Sequence, residues 1–200
     1  IDVANMLTGE VPNANVATIG VAKGGTGLTS GTSGQFLKFT GSTTLASTAL
    51  SAGKVLQVVN AVQSSEYTRT ATSFGASSTG VTITPSATSS KVLVEIHCGV
   101  IEIGNDSTQG IDMKLTRSIG ASDTDLISQI HNDAGVFTNQ SGSVYRTFTG
   151  HASVSYLDSP NTTSACQYRI YIKCKNTNTY VGVQMHSSSS TFTAMEIDGS

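Results

Sequence analysis

From Lys54 onward the chain alternates apolar and polar residues with period two, the pattern of β-strands that bury one face. KVLQVVNAVQ (54–63) sets Leu56, Val58, Asn60 and Val62 on one side. EYTRTATS (66–73) reads as a polar strand, exposed or at an edge, and GVTITP (80–85) as a strand stopped by Pro85. KVLVEIHCGVIEIG (91–104) is the strongest strand signal, with Val92, Val94, Ile96, Cys98 and Val100 in phase. Gly99 and Gly104 within it predict a bulge and an exit turn. Further strands are predicted at 110–118, 125–130, 143–158, 165–176, 179–185 and 191–197. Turn clusters such as NDSTQG, HNDAG, DSPNTTS and SSSS separate them. No segment keeps helical apolar spacing over three turns, so almost no α-helix is expected. Eight to ten strands at this rhythm predict an all-β, jelly-roll-like β-sandwich.

The other face of 91–104 carries Leu93, Glu95, His97, Ile101 and Ile103. Apolar residues on both faces of one strand mean that both are covered. The second face is therefore expected to be a subunit interface, which a three-fold bundle would bury around its axis.

Residues 1–53 read differently. They hold no sustained alternation, and Pro12 with nine glycines interrupts every candidate element. VAKGGTGLTSGTSGQ (21–35) has too few apolar side chains for a core of its own. Val21, Leu28, Phe36, Leu37 and Phe39 nevertheless punctuate the region, as suits chains that wind around copies of themselves and share a thin core. The expected organisation is an extended stalk or collar over 1–53 and a β-sandwich head over 54–200. Leu28, Phe36, Phe39, Leu93, His97, Ile101 and Ile103 are the candidate trimer-interface residues.

Composition narrows the function. Charged residues are 12% of the chain, against about 25% in an ordinary soluble domain, and serine and threonine number 28 each. The net charge of −2 comes with scattered cations, mostly one to a strand, rather than the basic stripe that nucleic-acid binding requires. No window of about 18 apolar residues predicts a membrane span. The opening Ile1–Asp2–Val3 shows no signal-peptide pattern, and its lack of an initiator Met points to a longer chain.

Chemistry is hard to place. Cys98, Cys166 and Cys174 are odd in number, lack CxxC spacing and fall in phase with apolar residues, so they read as small buried hydrophobes. His97, His131, His151 and His186 form neither HExxH nor HxH, and no carboxylate spacing predicts a glycosidase pair. The glycine run at 24–34 lacks the GK[ST] ending of a phosphate loop. Glu95 and Glu196 read as salt-bridged or rim residues, and Asp158, before Ser159–Pro160, as bonding its own turn. The reading therefore assigns no enzyme activity, catalytic residue, metal or cofactor. Binding would fall to polar loops at one end of the sandwich, whose Asn and Asp suit dense hydrogen bonding to a saccharide. The candidates are Asn105, Asp106, His131, Asn132, Asp133, Asn139, Gln140, Asn161, Asn176 and Asn178.

Several phrases carry a family resemblance. LTGEVPNANVATIG (7–20) and GGTGLTSGTSGQ (24–35) resemble shaft segments of bacteriophage tail-fibre proteins. GKVLQVV (53–59), TPSATSSKVLVEI (84–96), MKLTRSIG (113–120), YLDSPNTTSACQYRIYIK (156–173) and SSSTFTAMEI (188–197) resemble the C-terminal head domains of tail fibres from phages of marine and cyanobacterial hosts. The resemblance implies a homotrimeric virion appendage, made in the host cytoplasm, whose head touches a host cell-surface receptor. Other virion proteins would be partners through a preceding N-terminal part. A purely structural virion component without receptor affinity, a capsid decoration or fibre connector, is the alternative.

Overall fold

Segments whose alternation is strongest pair antiparallel, and their in-phase apolar residues meet in one core. The computed structural model describes residues 31–42, 44–49, 53–77, 80–104, 110–131, 148–176 and 180–199. The chain divides into two units, 1–51 and 52–200.

The first unit contains a hairpin of β1 (Phe36–Gly41) and β2 (Thr44–Thr48), with Phe36 opposite Thr48 and Phe39 opposite Leu45. This corrects the expectation that no regular element forms before Lys54. FLKFT and TLAST alternate just enough to pair, and Ser47 Oγ donates to Gln35 Oε1 at 2.6 Å beside the ladder. Phe36, Leu37 and Phe39 remain 61%, 55% and 66% exposed. A lone two-stranded hairpin is marginally stable in water.

In the second unit the strands follow in chain order as β3 (Val55–Gln63), β4 (Tyr67–Arg69), β5 (Gly75–Ala76), β6 (Val81–Ile83), β7 (Lys91–His97), β8 (Ile101–Ile103), β9 (Ile111–Ile119), β10 (Ser122–His131), β11 (Phe148–Gly150), β12 (Ser153–Asp158), β13 (Cys166–Cys174), β14 (Val181–Val183) and β15 (Ser190–Ile197). One sheet runs β12–β7–β15–β3, and the same chain segments continue in the same order as β11–β8–β14–β4. The second layer runs β10–β9–β13–β5, with β6 also on β13. Successive segments thus alternate between layers except at the β9–β10 hairpin, the order of a jelly roll. No helix occurs among the described residues.

The core lies between the layers. Val92, Val94 and Ile96 from β7, with Phe192 and Ala194 from β15, face Met113 and Leu115 from β9 and Tyr168, Ile170 and Ile172 from β13. All are 0–1% exposed. Glycine is required where β13 passes Gly80. Its φ is +68°, and a Cβ there would lie 2.0 Å from the Tyr168 carbonyl oxygen. Gly80→Ala should cost about 1–2 kcal/mol for the left-handed backbone and more for the clash. Chemical denaturation of the variant would measure it, and an unchanged midpoint would refute the close approach.

The strand expected over 91–104 is two strands. Cys98, Gly99 and Val100 break it, and the loop before β15 is stitched into the gap. The Gly99 and Val100 amides donate to Ser190 Oγ at 2.8 Å and Ser188 Oγ at 2.7 Å. The Met185 amide donates to the Val100 carbonyl at 3.0 Å. A Cβ on Gly99 would lie 2.6 Å from Ser188 Oγ, so the approach needs glycine. The break shifts phase by one residue: even positions point inward in β7 and odd ones in β8. Ile101 (3% exposed) and Ile103 (0%) therefore belong to the chain's own core. They do not share an outer face with Leu93 and His97, as the unbroken strand had implied.

Candidate functional site

The pairing register decides which connections share an end of the sandwich. Ile103, where β8 ends, lies opposite Phe148, where β11 begins, and opposite Val181, where β14 begins. Ile111, the start of β9, lies opposite Cys174, the end of β13, and His131, the end of β10, opposite Met113. The strand ends flanking 104–110, 132–147 and 175–180 therefore gather at one end. Of the candidate loop residues, Asn105, Asp106, Asn132, Asp133, Asn139, Gln140 and Asn178 lie outside the described residues. His131 closes β10 at this end, and Asn176 is half-buried just after β13. Asn161 is not with them: it joins β12 to β13 at the opposite end, exposed, with a left-handed φ of 53°.

Beside the gathered end sits a cluster that the sequence did not reveal. Glu102 is only 4% exposed on β8 and accepts from the Tyr180 hydroxyl. His186 Nε2 lies 2.5 Å from its other oxygen. Hydrogen bonding to Glu102, then burial, push the Tyr180 phenol up to about 12. Gln184, His186 and Ser187 all have left-handed φ values of 56–59°. Non-glycine residues hold that conformation at a cost. No sequence signal marks it, since SSSS reads only as a turn and Gln184 falls in the strand predicted over 179–185. The arrangement covers the outer side of β8 from within the chain, the task that sequence reasoning gave to a neighbouring subunit.

The two layers differ in the chemistry of their outer faces. On the β10–β9–β13 layer, charges are paired. Lys114 Nζ lies 2.8 Å from Asp125, Lys173 Nζ 3.1 Å from Asp112 and Arg169 3.5 Å from Asp123. The Tyr171 hydroxyl donates to Asp123 at 2.7 Å, and the Ser118 hydroxyl at 2.5 Å. Those two bonds hold the Asp123 carboxyl below its ordinary range. Lys114 and Lys173 both approach the Phe74 ring, at 4.8 and 4.9 Å from its centroid.

The outer face of the β12–β7–β15–β3 layer is poor in charge and apolar. Val55, Leu56, Val58, Val62 and Leu157 are 44–59% exposed on it. Leu56, Val58, Asn60 and Val62 do share one side of β3, and it is this outer one. Leu93 is half-buried in the same face. His97 is exposed, its Nδ1 3.0 Å from Ser153 Oγ. Of the other interface candidates, Phe36 and Phe39 are on the hairpin of the first unit and Leu28 lies outside the described residues.

Two acids depart from their expected roles. Asp158 does not hold its own turn but is 4% exposed between the layers, bonded by Arg117 and Tyr168. Glu196 is 0% exposed and accepts from Ser86 and Gln57 rather than forming a rim salt bridge. The three cysteines are free and buried, and burial raises each thiol's pKa, that of Cys98 to about 12. All three sit in the hydrophobic core, where a buried thiol packs as a small apolar group.

No protein-family model matches the chain, and no curated protein matches it in sequence. Among solved structures, the chain is similar to a crystal structure of the infectious bursal disease virus VP2 subviral particle, with a TM-score of 0.35 and 10% identity over 80% of this chain and 43% of that one. It is also similar to the structure of the infectious bursal disease virus Gx strain, with a TM-score of 0.31 and 12% identity over 81% of this chain and 40% of that one. The chain spans about two fifths of the length of each of these viral proteins.

Proposed function

We propose that the chain is the distal part of a bacteriophage tail fibre, a homotrimeric virion appendage that adheres to a host cell-surface receptor. The observation that carries this reading is the gathering, at one end of a jelly roll, of the strand ends that flank three polar segments. Asn- and Asp-bearing segments joined to one end of a sandwich would suit contact with a polar ligand, for which a saccharide is the fitting chemistry. The tail-fibre wording of 7–35 and of the head phrases supports the same assignment. Three weak head sites on one particle would hold a surface through effective concentration, without bond-making chemistry. Other virion proteins would anchor the fibre at its far end.

Two measurements test this reading. Light scattering of the full chain should give three times the 20.6 kDa chain mass. Fluorescently labelled protein should bind host cells and lose that binding after periodate oxidation of surface sugars. A monomeric mass would overturn the trimer. A trimer that binds no cell in a broad panel of marine bacteria would favour the purely structural virion component.

A further inference from the structure

The outer face of the β12–β7–β15–β3 sheet can be read row by row from its register. Leu157, Leu93, Met195 and Val58 form one continuous apolar row across all four strands. The next row is Ser155, Glu95, Thr193 and Asn60, and the one beyond is Ser153, His97, Thr191 and Val62. Four strands about 4.8 Å apart and seven residues long give a face of roughly 450 Å², crossed by that one continuous apolar row. A solvated sheet face would look like the opposite layer, where acids and bases alternate and pair. Here hydroxyls and aliphatic side chains largely replace them, and depletion of charge is what distinguishes the centre of an interface.

Charge indicates what covers it. Glu95 is half-buried in the centre of the face, and Lys91 and His97 flank it on the same strand. Among the described residues, none of the three makes an ion pair. A face that carries its own acid, Glu95, and its own cation, Lys91, neither of them in an ion pair among the described residues, complements a copy of itself better than a surface of one sign. We propose that this face is the contact between copies of the chain, with the Glu95 carboxylate of one copy meeting the Lys91 ammonium of the next. The proposal rests on the multimeric reading above and adds where the copies touch.

The test uses the full chain in solution. Val58→Lys and Leu157→Lys place a charge on side chains 58% and 49% exposed, so each variant should keep its fold, as circular dichroism would verify. Each should weaken association by about 100-fold or more, because the lysine would lose its water in the contact. Thr82→Lys, exposed on the opposite layer, should leave the mass unchanged. Asn60→Cys should cross-link between copies with a short bismaleimide, whereas Thr82→Cys should not. A wild-type multimer unaffected by Val58→Lys and Leu157→Lys, or cross-linked equally at both cysteines, would overturn this face and leave the fibre reading standing. A wild-type monomer would overturn both.

Discussion

Asp158→Ala should destabilise the sandwich by about 3–5 kcal/mol, the largest effect expected of any single polar substitution here. Asp158 sits at the end of β12, 4% exposed, and accepts from Arg117 Nη1 at 2.9 and 2.8 Å and from the Tyr168 hydroxyl at 2.8 Å. These bonds tie the β12 layer to β9 and β13 across the core. Burial alone would lower the Arg117 pKa, but bonding and charge from Asp158 raise it overall, so the guanidinium stays ionised. Burial, followed by the charge of Asp158, pushes the Tyr168 phenol far above its ordinary value, so its hydroxyl stays a donor. Removing the carboxylate leaves a cation and a hydroxyl in the interior with no acceptor, which costs more than the pair itself contributes.

A double-mutant cycle separates that orphaning from the pair's own worth. Arg117→Met combined with Asp158→Ala should be less destabilised than Asp158→Ala alone, because the stranded cation is gone. In a domain of this size, the single variant should melt roughly 10 °C or more below wild type. A loss under about 1 kcal/mol, with no coupling to Arg117, would show that the interior is wetter than the packing implies.

What the sequence revealed and what it hid follow from one property of strands. Alternation reports which residues share a face, and the nine-residue β13 bears this out, every second residue from Cys166 to Cys174 being buried. Alternation does not report where phase slips. One break at Cys98–Val100 moved Ile101 and Ile103 from the expected outer face into the core. It also split a predicted strand between two four-stranded arrays. The hairpin at 36–48 was hidden for the opposite reason, its period-two stretches being too short and too rich in glycine and threonine to stand out. For the candidate site, the sequence predicts polar turns between strands, His131 proves to close β10 rather than to lie in a turn, and only the register shows which strand ends share an end. Asn161 belongs to the other end for that reason. The buried acids do carry a signal in the sequence. Asp158 follows Val154 and Tyr156 in phase, and Glu196 follows Phe192 and Ala194. A carboxylate on the apolar phase of a strand marks an interior acceptor, with donors to be sought on the facing layer or the adjoining loops.

Glu196 turns that rule into a pH prediction. Its carboxylate lies on β15 at 0% exposure, where Ser86 donates through both its amide and its hydroxyl at 2.6 Å and Gln57 Nε2 donates at 2.6 Å. Burial by itself would raise the carboxyl pKa, but the bonds from Ser86, Ser90 and Gln57 outweigh it and bring the value down from 4.5 to about 2. A group whose folded value is depressed stabilises the fold above its unfolded value, and that contribution disappears as pH falls through the folded value. The stabilisation should therefore be complete above about pH 4.5 and fade toward pH 2. Glu196→Ala should cost about 3 kcal/mol at neutral pH, since several buried donors lose their acceptor at once. Glu196→Gln keeps the shape and one acceptor oxygen but has no charge to titrate. Its melting temperature should fall less steeply than that of wild type between pH 4.5 and pH 2. Parallel melting curves for the two proteins across that window would mean that Glu196 is not held by these bonds. Convergence of the two at low pH would tie the clamp between β15 and the loop before β7 to this one ionised group.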